Sequence, residues 1–89
     1  MRTFTQQLSS TRRGARLARP IAYKQLRAWR TSPGVTDRAE QIVAELAANA
    51  ALHGRVQGRV FRLVLTHDLT AGALRVALTD ACGGRPPPL

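Results

Sequence analysis

Glu45, Asn49 and His53 recur every four residues in the run Glu45-Leu46-Ala47-Ala48-Asn49-Ala50-Ala51-Leu52-His53. On a helix such residues form one stripe. Each step drifts about 40°, so the stripe covers roughly 80° of the circumference at 100° per residue. Ile42, Val43, Leu46 and Ala50 gather beside it, and Ala44, Ala48 and Ala51 gather on the far side. A carboxylate, an amide and an imidazole are thus expected at the edge of a buried face. Polar groups that leave water need partners. The stripe either lines a cleft or is satisfied by backbone at a sheet edge. Asp80 ends an alternating apolar segment and precedes Gly83-Gly84. A carboxylate at a strand end can accept hydrogen bonds from an exocyclic amine, and glycines let a ligand approach the backbone closely.

The elements that must position these residues follow from periodicity. Thr3–Leu8 alternates, with Phe4, Gln6 and Leu8 on one face, and predicts a strand. Ser9, Ser10 and Thr11 offer helix caps. From Thr11 to Arg30 the period becomes helical: Ala15, Ala18, Ile21, Ala22 and Trp29 share one side, and Arg12, Arg16, Arg19, Arg27 and Arg30 the other. Pro20 interrupts this helix at a cost of ~3 kcal/mol and predicts a kink near Arg16–Pro20 or two helical pieces. Thr31-Ser32-Pro33-Gly34 has turn composition. A second helix is expected over Asp37–Leu52, opened by Asp37 and Glu40 as a capping box and closed by Gly54. Arg59–His67 and Ala73–Thr79 alternate around the loop Asp68–Gly72 and predict an antiparallel hairpin. His67 and Asp68, adjacent in a strand, point to opposite faces and read as surface residues. The expected fold is an α/β two-layer sandwich in the order strand-helix-helix-strand-strand. The domain is placed at residues 1–85, and residues 86–89 read as a Pro-rich tail.

Composition narrows the function classes. Eighty-nine residues allow one domain, and 44% apolar content is too high for a disordered chain. Only Phe4, Tyr23, Trp29 and Phe61 are aromatic, so Leu, Val, Ile and Ala must build the core. The net charge of +9 is uneven: residues 1–36 hold eight basic side chains and no acid. Such charge suits acidic or phosphate-rich partners, or is a solvated helix face. Nucleic-acid binding is disfavoured, because no helix-turn-helix pattern or aromatic stacking platform accompanies the charge. Cys82 is alone, which excludes an internal disulfide and fits a reducing cytoplasm. No apolar run is long enough to span a membrane. No G-x-x-x-x-G-K-[ST] is present, so a P-loop cradle is excluded.

Glu45-x-x-x-Asn49-Ala50-x-x-His53 resembles the N box of GHKL ATP-binding domains, the superfamily of gyrases, histidine kinases and related chaperones, whose architecture is the Bergerat fold. Val76-Ala77-Leu78-Thr79-Asp80-Ala81-Cys82-Gly83 resembles the start of that superfamily's next motif, which reads adenine. With two strands between the motifs, the chain is most similar to the anti-sigma factor serine/threonine kinase branch. The resemblance implies ATP or ADP with Mg²⁺ as cofactor. Asn49 would coordinate the Mg²⁺, Glu45 would orient or deprotonate the attacking hydroxyl, and Asp80 would bind the adenine amine. Gly83 would admit the base and His53 would stand near the phosphates. A sigma factor or an anti-anti-sigma protein is the implied partner, with a homodimer as a further arrangement. Nine residues follow Asp80 and three of them are prolines. The glycine-rich lid of the family is therefore expected to be missing, which leaves kinase activity open. The alternative is a non-catalytic interaction module of the same fold.

Overall fold

The computed structural model describes residues 1–53 and 60–80. Five elements follow in the expected order: β1 (Arg2–Ser9), α1 (Arg12–Ala28), α2 (Pro33–His53), β2 (Val60–Asp68) and β3 (Ala73–Asp80). The strands form one antiparallel sheet in the order β1-β2-β3. Two helices cover one face of it, α1 leaning on β1 and α2 on β3. The chain is thus a small α/β domain of two layers.

The sheet is built as its alternation demands. Phe61, Leu63 and Leu65 of β2 are 2%, 0% and 0% exposed and form the middle of the core. Register sets Leu8, Gln6 and Phe4 beside them on β1, and Leu78 and Val76 on β3. Burying each such Leu or Phe contributes about 1.5–3 kcal/mol. The hairpin turn between β2 and β3 is held by Asp68, whose Oδ1 accepts from Thr70 N (3.0 Å) and Ala71 N (3.2 Å). Gly72 closes it at φ 63°.

α1 is one helix, not two pieces, and Pro20 lies inside it. Pro20 is exposed. The carbonyl left free by its missing N–H therefore stays in reach of water, which lowers the cost of the break. Thr11 is the cap, its Oγ1 accepting from Gly14 N at 3.1 Å. Gly14, Ala18, Ala22 and Leu26 are buried, at the i, i+4 spacing of one helix face. At Gly14 the helix passes so close to the end of β1 that a Cβ would overlap the Ser9 carbonyl. The C-terminus is a Schellman motif: Arg30 N donates to Arg27 O (3.0 Å) and Thr31 N to Leu26 O (3.2 Å). Arg30 takes the left-handed conformation there, at φ 59°.

α2 begins four residues before the expected Asp37. Ser32 caps it, accepting from Val35 N through Oγ (3.4 Å) and from Thr36 N through its carbonyl (2.9 Å). Pro33 then occupies the first helical position, where its missing N–H costs nothing. The Asp37–Glu40 capping box does not form, because both residues lie inside the helix. Glu40 instead accepts from Arg19 Nε at 3.2 Å and ties α2 to α1. Thr36 is 5% exposed and shares a 2.6 Å hydrogen bond with Thr31, whose hydroxyl also donates to Leu26 O (3.2 Å). The expected closing Gly54, like residues 81–89 with Gly83 and the proline tail, lies outside the described residues.

Candidate functional site

The buried face of α2 is Thr36, Ala39, Val43 and Ala47, with Leu46 and Ala50 half-buried. This corrects the sequence reading in two ways. Ile42 is 40% exposed rather than central to the core. Of the three alanines expected on the far side, Ala48 is exposed, but Ala44 and Ala51 are half-buried on the flank toward α1. The reason is the α1–α2 seam: the two helices pack on each other, and Ala18 and Ala22 of α1 and Ala39 and Ala47 of α2 are all buried in the one core. Small residues let two helices approach closely, and larger apolar residues are displaced to the margin.

The stripe therefore stands further from the core than its neighbours in sequence suggest. Glu45 and Asn49 are both exposed. At 100° per residue, Glu45 lies about 160° and Asn49 about 120° from Val43. Asn49 falls on the helix flank that carries Ile42, seven residues earlier, and that flank looks away from α1. Ile42 lines a groove with Leu74 and Val76 of β3. His53 is the last residue of α2.

The direction of the elements decides what meets what. Gly34–Ile42, the first half of α2, borders Gly72–Val76, the first half of β3. The helix and the strand thus run the same way. From Ile42 to Asn49 the helix advances roughly 10 Å. From Val76 to Asp80 the strand advances roughly 13 Å. Asn49 and Asp80 belong to the same end of the domain. Position 80 pairs with Phe61 and has the same parity as Leu74, Val76 and Leu78, which pack against the core beneath the helices. The backbone therefore brings the C-terminal turns of α2 and the end of β3 together on one side of the sheet.

The N-terminus of α1 reaches this end too. Ser10, Thr11, Arg12, Ala15 and Arg16 border a cleft of about 650 Å³ with Ala48 and Ala51 of α2. Arg12, Arg16, Arg19, Arg27 and Arg30 are all exposed, as the helical period predicts, and so are Arg13 and Lys24. Arg19 pairs with Glu40, and Arg27 donates to the Tyr23 hydroxyl (3.1 Å), a contact that raises its pKa. Among the described residues no three His, Cys, Asp or Glu side chains gather to hold a metal.

His67, expected at the surface, is half-buried, as is Asp68. The His67 ring stacks on Trp29 at 5.8 Å with an interplanar angle of 24°, and its Nδ1 is buried without a hydrogen-bond partner. The signal was present in the alternation, since His67 has the parity of Phe61, Leu63 and Leu65.

What the geometry defines is a two-layer α/β domain in which the C-terminal turns of α2 and the end of β3 meet at one end. No family model, no curated protein and no solved structure matches the chain. No helix among the described residues is long and apolar enough to cross a membrane.

Proposed function

We propose that the chain is an ATP-binding regulatory domain of the GHKL type, resembling the anti-sigma factor serine/threonine kinases. The observation that supports this reading is the shared end: an exposed Asn49 on α2 and the closing residue of β3 stand on one side of the sheet. In this reading Asn49 holds the Mg²⁺ that accompanies the phosphates, and the ion neutralises phosphate charge. Glu45, one turn earlier and open to solvent, orients the hydroxyl of a substrate serine and accepts its proton. Asp80 binds the exocyclic amine of adenine, Gly83 gives the base room, and His53 stands beside the phosphates. Arg12 and Arg16, at the same end, favour an anionic ligand through their field. The partner is a sigma factor or an anti-anti-sigma protein, and the compartment is the cytoplasm.

Calorimetric titration with Mg-ATP and Mg-ADP tests the proposal, repeated with Asn49→Ala and in excess chelator. Asn49→Ala should weaken Mg-nucleotide binding at least about tenfold, or 1.4 kcal/mol. In chelator the two proteins should bind alike. Equal affinities in magnesium would remove Asn49 from the metal. No nucleotide binding by either protein would leave the fold with the interaction role alone.

A further inference from the structure

We infer that the outer face of α1 is a docking surface for an anionic lipid bilayer, on which the domain rests without crossing it. This goes beyond the nucleotide reading and does not depend on it.

α1 carries six basic side chains and no acid. Its buried line is Gly14, Ala18, Ala22 and Leu26. At 100° per residue the direction opposite that line falls on Pro20. Arg13, Arg16, Lys24 and Arg27 lie within about 40° of it, and Leu17 and Tyr23 within about 60°. The four cations and Pro20 are exposed. Leu17 and Tyr23 are 47% and 39% exposed, large apolar side chains left to water. The face is therefore ordered along the helix, with a short apolar step at Leu17, Pro20 and Tyr23 between two pairs of cations. It spans roughly 21 Å from Arg13 to Arg27. An anionic bilayer answers both parts. Its phosphates meet Arg and Lys, and its headgroup boundary takes shallow apolar side chains. Tyr23 suits that depth, since its ring is apolar and its hydroxyl accepts from Arg27 at 3.1 Å.

The neighbouring helix decides against a nucleic-acid duplex. α2 packs along α1, on the side where Arg19 meets Glu40. A major groove about 12 Å wide admits one helix, and two packed helices with axes roughly 8–10 Å apart do not enter it. Asp37 and Glu45 of α2 are exposed and would meet phosphates there. A bilayer imposes no such fit. α1 covers β1, an outer strand of the three described. Leu17 and Lys24 lie on its flank away from α2. The domain can rest on that flank with the acids of α2 held off the surface. An acidic protein surface answers the cations alone, whereas a bilayer also takes Leu17 and Tyr23 with no pocket cut to fit them.

Vesicle co-sedimentation of the full chain tests this, with phosphatidylcholine alone and with about one-third phosphatidylglycerol added. The chain should pellet with the anionic vesicles and not with the neutral ones, and salt should release it. Each basic residue at an anionic surface is worth about fivefold in affinity. Arg13→Gln, Arg16→Gln and Arg27→Gln together should thus weaken binding about a hundredfold. Arg38→Gln, Arg62→Gln and Arg75→Gln together remove the same charge from α2 and from the sheet face away from the helices. That variant should lose about tenfold at most. Leu17→Gln should weaken vesicle binding about tenfold and leave capture by duplex DNA and by polyglutamate unchanged. All three variants should keep the parent's helicity by circular dichroism. No binding to anionic vesicles, or equal binding to neutral ones, overturns the proposal. Equal loss in the two triple variants also overturns it, because net charge alone then explains binding. So does vesicle binding indifferent to Leu17→Gln. Tighter capture by duplex DNA or polyglutamate than by anionic vesicles at the same salt overturns it in favour of a nucleic acid or an acidic protein.

Discussion

Replacing Gly14 by alanine reads out the closest approach in the fold. In most helices this change gains about 1 kcal/mol through propensity. Here the new Cβ would overlap the Ser9 carbonyl oxygen and lie 2.7 Å from Ser9 Oγ and 2.8 Å from Ser9 C. Two of these atoms are backbone at the end of β1 and cannot rotate away. The first turn of α1 must lift off the sheet instead. That loosens the hydrogen bond from Gly14 N to Thr11 Oγ1, a cap worth about 1 kcal/mol. The cap loss cancels the propensity gain. What remains is an overpacking cost of about 1–3 kcal/mol. A midpoint of about 2 kcal/mol lowers Tm by roughly 8–16 °C in a domain of this size. Thermal melts followed by circular dichroism measure it. Gly34→Ala is the matched control, because nothing lies within 4 Å of a Cβ there. It should hold or raise Tm. Should Gly14→Ala melt at or above the parent protein, α1 does not approach Ser9 as described.

Arg30→Gly should stabilise by about 0.5–1 kcal/mol, because Arg30 sits at φ 59°, where a side chain is strained; an unchanged Tm would contradict the left-handed cap. Ser32→Ala should cost about 0.5–1 kcal/mol by removing the cap of α2. Asp37→Ala should cost less, since Asp37 lies inside the helix; urea denaturation of both variants decides where α2 begins.

The order of elements was legible because each has a plain period: 2 in Thr3–Leu8 and Arg59–His67, 3.6 in Thr11–Arg30. The misplaced start of α2 has a local cause. Ser32-Pro33-Gly34 serves equally as a turn and as a cap with proline in the first helical position, and only the hydrogen bonds from Val35 and Thr36 separate them. The buried side of α2 was blurred because Ala, Ile and Leu run nearly all round that helix. Which alanines are interior depends on α1, a partner that α2's own pattern does not encode. Gly14 is of the same kind, since its need arises from the path of β1. The spacing of Glu45 and Asn49 along one flank of α2 was legible, and both are exposed. Their distance from the core was not, because it too is fixed by the α1–α2 seam.

The stacking of Trp29 on His67 has a practical consequence. It joins the last turn of the cationic helix to the middle strand, across 38 positions of sequence. Trp29 is the sole indole and Tyr23 the sole phenol of the chain. Emission excited at the red edge of absorption therefore comes from one fluorophore alone, at the boundary between the helical layer and the sheet. Its intensity changes when those layers separate, while far-ultraviolet ellipticity follows the helices themselves. Helix docking and helix formation can thus be timed separately in the unlabelled protein.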